Sequence, residues 1–140
     1  MNIVVIDGQG GQLGSQLIKM IVSEGKDLKI TAIGTNAVAT SAMLKAGAHQ
    51  AATGENPVLV ACKKADVILG PIGIVIADSM LGEVTEKMAV SVGQADAVRI
   101  LIPVNKCENL VAGVNASSTK ELLEDVMNKL RSVIEDRFFL

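Results

Sequence analysis

The chain has 140 residues, 49% of them apolar and 20% charged, with a net charge of −2. That length suits a single domain able to bury a core. The charge balance, with no Lys/Arg stripe, argues against a nucleic-acid surface, and two Phe without Tyr or Trp leave no platform for stacked bases. No stretch reaches the roughly 18 uninterrupted apolar residues of a membrane span. The N-terminus lacks the basic start and small-residue cleavage site of a secretory signal, so a cytoplasmic address is expected. Cys62 and Cys107 stand alone beside a single His, which indicates neither a zinc site nor a disulfide framework, and reduced thiols fit that address.

The opening stretch reads Asn2-Ile-Val-Val-Ile-Asp7-Gly8-Gln9-Gly10-Gly11-Gln12-Leu13-Gly14. Its successive apolar residues predict a buried parallel strand. A glycine-rich turn follows, then a helix from about Gly11 to Glu24 with Leu13, Leu17, Ile18, Ile21 and Val22 on one face and Gly25 as its stop. Strand, glycine turn and helix start in that order make a phosphate cradle. Unpaired N–H groups and the positive end of the helix dipole face the anion, and glycines let it approach the backbone. Gly8, Gly11 and Gly14 give the spacing G-x-x-G-x-x-G, with Gly10 adding an overlapping G-x-G. Leu13 stands where the strict G-x-G-x-x-G form has its last glycine, and Ser15 follows Gly14 without the Lys of a triphosphate loop. The same glycines also suit a tight strand-to-helix turn that holds no ligand.

From Asn2 to about Ile21 the stretch resembles the nucleotide loop of Rossmann-type NAD(P) proteins, nearest in form to the loop of extended short-chain reductases. The chain is also similar to a small bacterial family of stand-alone Rossmann-like domains with no assigned function. The resemblance implies NADP or NAD held by Gly8, Gln9, Gly10, Gly11, Gln12, Leu13 and Gly14. It does not carry over the chemistry, because short-chain reductases protonate the substrate oxygen with a Tyr and a Lys one helical turn apart, and this chain contains no Tyr.

Further along, Leu28 to Ile33 predicts a second strand, completing a right-handed βαβ unit. Asn36 caps a helix carrying Val38, Met43 and Leu44 that stops at Gly47, and a short third strand follows around His49 to Ala52. Asn56 as N-cap and Pro57 at the first helical position open a helix with Val58, Leu59 and Cys62 that ends in Lys63-Lys64. Asp66 to Leu69 reads as the fourth strand, and Ile74 to Leu81 as a buried helix ended by Gly82. Thr85 caps a helix with Met88, Val90 and Val92, and Arg99 to Val104 reads as the fifth strand. Leu110 to Val114 reads as a sixth strand. A parallel crossover needs about a dozen residues, more than this connection offers, so the sixth strand is expected antiparallel at the sheet edge. Ser118 and Glu121 form a capping box for a last helix, about Thr119 to Glu135.

This alternation predicts one α/β domain over residues 1–140, a three-layer, doubly wound, Rossmann-like and mostly parallel sheet of order 3-2-1-4-5-6. Ligands in such sheets sit beyond the carboxyl ends of the strands, where the strand order switches. That rule nominates the loop from Gly8 to Gly14, then Thr35 and Asn36 after strand 2, and Gly70, Pro71, Ile72 and Gly73 after strand 4. Asn105, Lys106 and Cys107 after strand 5 join them. The end of strand 2 carries no carboxylate to accept a ribose 2′-OH and no Arg for a 2′-phosphate, so any preference for NADP over NAD is slight. Thr35 or Asn36 equally serves as a helix cap. Asp7 is unfavourable beside a pyrophosphate, and its other role is to bind turn N–H groups and stiffen the loop. Asp78 is an unusual carboxylate in an apolar stretch, His49 reads as a loop or strand residue, and Cys107 beside Lys106 is a thiolate candidate or a plain edge cysteine. The leading expectation is therefore a nucleotide-binding module, a sensor or assembly subunit. The rivals are a small enzyme completed across a homodimer through Asn105, Lys106, Cys107 or Asp78, and a structural subunit with a vestigial loop. The apolar Phe138-Phe139-Leu140 end favours a homodimer.

Overall fold

The computed structural model describes residues 1–25, 27–104, 108–114 and 118–139. The elements run β1 (Asn2–Asp7), α1 (Gln12–Ser23), β2 (Lys29–Gly34), α2 (Ala37–Lys45), β3 (Gln50–Thr53), α3 (Glu55–Cys62), β4 (Val67–Pro71), a 3-10 turn (Ile72–Val75), α4 (Glu86–Gln94), β5 (Val98–Ile102) and α5 (Thr119–Phe139). Among the described residues all pairings are parallel and the sheet order is β3-β2-β1-β4-β5, so the doubly wound Rossmann-like sheet stands. Asp7 lies level with Gly34, and Pro71 with Ile102, which sets the strand ends in one row at the carboxyl edge.

Alternation along β1 feeds two cores. Ile3 and Val5 pack with Leu17, Ile18 and Ile21 of α1, Met43 of α2 and Leu130 of α5 on one face. Val4 and Ile6 pack with Val58 of α3 and Met88 and Val92 of α4 on the other. Fully burying one such aliphatic side chain contributes roughly 1.5–3 kcal/mol. Arg131 of α5 donates from Nη2 to Glu24 Oε1 at 2.5 Å, which fixes α5 against the end of α1. Among the described residues no helix is long and apolar enough to cross a membrane.

Several boundaries differ from expectation. The sixth strand, Leu110 to Val114, is not a strand: Leu110 is 95% exposed, Val114 N donates back to Val111 O, and Gly113 sits at φ +84. A left-handed residue inside so short a run breaks the extended backbone that a strand needs. The helix expected over Ile74 to Leu81 is also absent. The 3-10 turn ends at Val75, and Asp78, Met80 and Leu81 have φ of +65, +55 and +56. Successive β-branched residues disfavour a helix there, and Asp78 and Ser79 offer the backbone other hydrogen bonds. Helix α3 begins at Glu55, so Pro57 sits within its first turn, where its missing N–H costs nothing. The buried Cys62 thiol at the end of α3 is pushed up to about 11 by burial, which disfavours the thiolate.

Two glycines are fixed by close backbone approach. A methyl group at Gly70 would lie 2.3 Å from the Ile6 carbonyl oxygen, and one at Gly34 2.5 Å from Thr40 N. At Gly10 nothing lies within 4 Å. Gly70→Ala and Gly34→Ala are therefore expected to lose about 1–3 kcal/mol or more in urea unfolding. Gly10→Ala should change stability by less than about 0.5 kcal/mol.

Candidate functional site

The end of β1 and the start of α1 are joined by one side chain. Gly11 precedes α1 with φ +70 and has no side chain to cap it. Asp7 supplies the cap from the strand. Its Oδ2 accepts from Gly14 N at 2.8 Å and its Oδ1 from Gly8 N at 2.8 Å. Burial pushes the Asp7 carboxyl above its ordinary 3.8; the amides of Gly14 and Gly8 offset part of the rise and the charge of Glu83 adds to it. Gly11 N is also used, donating to Gly8 O at 3.0 Å. Among the described residues, the N–H groups of Gly10, Gln12 and Leu13 have no acceptor in the protein. The loop glycines are themselves packed: a methyl group would meet Met80 Sδ at 2.6 Å from Gly8, Ala39 Cα at 2.7 Å from Gly11 and Met43 Sδ at 2.5 Å from Gly14.

A second carboxylate, with no sequence signal of its own, closes the region between β1 and β2. Glu83 lies between the 3-10 turn and α4. Its Oε1 accepts from Thr35 Oγ1 at 2.6 Å, Asn36 Nδ2 at 2.6 Å and Gln9 N at 3.3 Å. The Thr35 hydrogen bond, with those from Asn36 and Gln9, holds the Glu83 carboxyl below its ordinary 4.5 against the effect of burial. Asn36 also accepts from Ala39 N at 2.9 Å, the cap expected for α2, and donates to Gln9 O at 2.9 Å.

On the other side of the loop lies a cleft of about 780 Å³. Asp7, Gly8, Gln9, Gly10, Gly11, Gln12 and Leu13 form one wall, with Pro71 and Met80 beside them. The facing wall comes from Thr119, Lys120, Leu123 and Glu124 of α5, and Gln16, Met20 and Val104 extend the lining. The structure thus brings most of the nominated loop together with Pro71. It does not bring Gly14, Thr35, Asn36, Gly70, Ile72 or Gly73 to the cleft: Gly14, Gly70 and Gly73 are buried, and Thr35 and Asn36 are tied to Glu83. Asp78 is exposed on the connection before α4 and does not line the cleft. His49 Nδ1 accepts from Ile30 N at 3.0 Å and so serves the sheet. Asn105, Lys106 and Cys107 lie outside the described residues, as do Leu140 and the side chains of Phe138 and Phe139.

The α5 wall was readable in principle. In a parallel sheet every helix that follows a strand begins at the carboxyl edge, and Ser118 Oγ does accept from Glu121 N at 3.2 Å. Lys120 could be placed by that rule. Glu83 could not, because it is an ordinary acidic residue between Gly82 and a capped helix.

Fold and cleft together define a Rossmann-like parallel α/β fold with its crevice at the carboxyl edge of the sheet. The chain belongs to the family described as Domain of unknown function (DUF3842), which it matches over residues 2–135. No curated protein matches it. Among solved structures it is similar to a dodecameric FMN-dependent UbiX-like decarboxylase from Escherichia coli O157:H7, with 13% identity, 100% of this chain and 96% of that one covered, and a TM-score of 0.45.

The expectation of NADP or NAD is corrected. The similar structure is described as FMN-dependent. In this chain the β2 end that would meet the adenosine ribose is closed by ionised Glu83, and Asp7 already takes two amides of the glycine loop. A pyrophosphate there would face two carboxylates with no Arg to offset them.

Asp7→Ala leaves the buried amides of Gly8 and Gly14 without acceptors and is expected to cost roughly 2–4 kcal/mol in denaturant unfolding. The titration of Asp7, followed by carboxyl carbon NMR, should lie above 3.8 and move down in Glu83→Gln, which removes a neighbouring negative charge. Because its folded pKa is lowered, Glu83 contributes stability fully above pH 4.5 and loses it as pH falls through the lowered value. The stability difference between wild type and Glu83→Gln should therefore be flat above pH 4.5 and shrink below it.

Proposed function

We propose that the domain binds a small phosphate-bearing ligand of mononucleotide size in the cleft between the glycine loop and α5. One observation carries this reading: the loop amides that the protein leaves unused, those of Gly10, Gln12 and Leu13, line the same cleft as Lys120. Free amides at the start of α1 and a lysine opposite are complementary to a phosphate dianion. Leu13, Met20, Val104 and Leu123 offer an apolar wall for a planar ring, and Gln16 offers both a donor and an acceptor to its edge. The cleft volume lies within the range of small-molecule sites, roughly 300–1,000 Å³. Glu124 on the same wall favours a ligand whose anionic charge is confined to the loop end.

A second reading is a scaffold domain whose loop binds nothing. The engagement of the Gly8, Gln9, Gly11 and Gly14 amides by the protein itself favours it. Calorimetry with AMP, FMN and inorganic phosphate separates the two. The ligand reading expects saturable binding by at least one mononucleotide. Lys120→Ala should weaken it roughly tenfold, as loss of one charge-assisted contact does. No binding at millimolar concentration would leave the scaffold reading alone.

A further inference from the structure

Three donors from two loops converge on a single oxygen. Gln9 N, Thr35 Oγ1 and Asn36 Nδ2 all point at Glu83 Oε1. The carboxylate is delivered by residues 76–84, whose backbone holds Asp78, Met80, Leu81 and Gly82 at φ +65, +55, +56 and +87. L-residues enter that region at a cost, and only surrounding contacts keep them there. Burial of Leu81 is not among those contacts, because Leu81 is fully exposed. The contacts include Ser79 Oγ donating to Gly73 O at 2.5 Å, Asp78 N donating to Val84 O at 2.8 Å, Met80 and Val84 buried in the core, and the hydrogen bonds of Glu83.

We propose that Gln9, Thr35 and Asn36 form a seat for a carboxylate or phosphoryl group, that Glu83 fills this seat as a built-in anion, and that an anionic group on a ligand exchanges with it. The seat contains only donors, two N–H groups and one hydroxyl, and all of them are presented to one acceptor. An ionised ligand oxygen matches it as Glu83 does, and the two cannot share it because they compete for the same donors and repel each other. Exchange releases the only side chain of residues 76–84 that reaches the ends of both β1 and β2 by hydrogen bonds among the described residues. The Glu83 side chain then leaves these ends and opens the crevice on the β2 side of the loop, while Met80 and Val84 stay anchored in the core. The role of the exchange in gating the cleft rests on the ligand reading above; the seat itself does not.

Glu83→Ala tests it in two steps. Without ligand, amide hydrogen exchange over residues 78–84 should rise at least tenfold. On titration with inorganic phosphate and, separately, acetate, the Gln9 backbone amide and the Asn36 side-chain amide should shift at concentrations at least tenfold lower than in wild type. Response to phosphate alone assigns the seat to phosphoryl groups, and response to both assigns it to carboxylates as well. Glu83→Gln, which keeps one acceptor oxygen, should move both readouts in the same direction by less, and it takes over the measurement if Glu83→Ala does not fold. The shifts should persist in Glu83→Ala combined with Lys120→Ala; their loss there would put the anion on the α5 side and overturn the proposal. Unchanged exchange in both Glu83 variants, or equal titrations of Gln9 and Asn36 in wild type and Glu83→Ala, would also overturn it. Failure of mononucleotides to bind wild type removes the cleft reading and leaves this test intact.

Discussion

Everything at the carboxyl edge of the sheet depends on where the Asp7 carboxylate points. It turns back from the end of β1 and takes the amides of Gly8 and Gly14, so the strand and the helix it feeds are clamped by a buried carboxyl group. A helix beginning after Gly11 needs such help, since glycine there has no side-chain acceptor of its own. Burial opposes the charge, and the two amide donors offset only part of that cost. The arrangement also decides what the loop can offer a ligand. A loop built as a bare cradle would present all of its amides; here Asp7 occupies two, and the turn itself uses Gly11 N. Glu83 takes Gln9 N, so among the described residues only the amides of Gly10, Gln12 and Leu13 remain without a protein acceptor, and these residues line the cleft whose other wall is α5.

Glu83 extends the same principle across three connections. It ties residues 76–84 to the loops after β1 and β2, where its hydrogen bonds hold it ionised. The two carboxylates are coupled: the charge on Glu83 raises the cost of ionising Asp7. One is stabilised by amides in a buried place, the other by side-chain donors at a more open one. Together they divide the crevice into a β2 side closed by protein and an α5 side left open. The division accounts for the scatter of the sequence-nominated residues, with the glycine loop and Pro71 in the open half and Thr35 and Asn36 in the closed half.

The parts of this fold that could be read from the chain are those whose signals are local. Periodic apolar residues placed α1 and the parallel strands, and the caps at Asn36, Thr85 and Ser118 all form as side-chain geometry requires. Reading failed where hydrophobicity was taken for regular structure. Ile74 to Leu81 is apolar because Ile74 and Met80 enter the core, while its backbone follows left-handed turns that composition does not reveal. Leu110 to Val114 is apolar yet largely exposed. Glu83 was illegible for a different reason: its partners lie 47 and 48 residues away at Asn36 and Thr35, and no nearby pattern marks an acid that will be held by distant donors.

The glycine spacing illustrates how one motif can satisfy two different demands. Gly8, Gly11 and Gly14 suit both a ligand's approach and a tight strand-to-helix turn, and each has a protein neighbour where a methyl group would go; within the loop only Gly10 has none within 4 Å. Their spacing is set by the packing of the turn against Met80, α2 and Met43, whether or not a ligand arrives. The informative residue is the one before the first glycine. A small neutral residue there would leave the Gly8 and Gly14 amides for a phosphate, whereas an aspartate able to fold back uses them. The identity of residue 7 therefore says more than the glycines do about how much of the loop is left for a ligand.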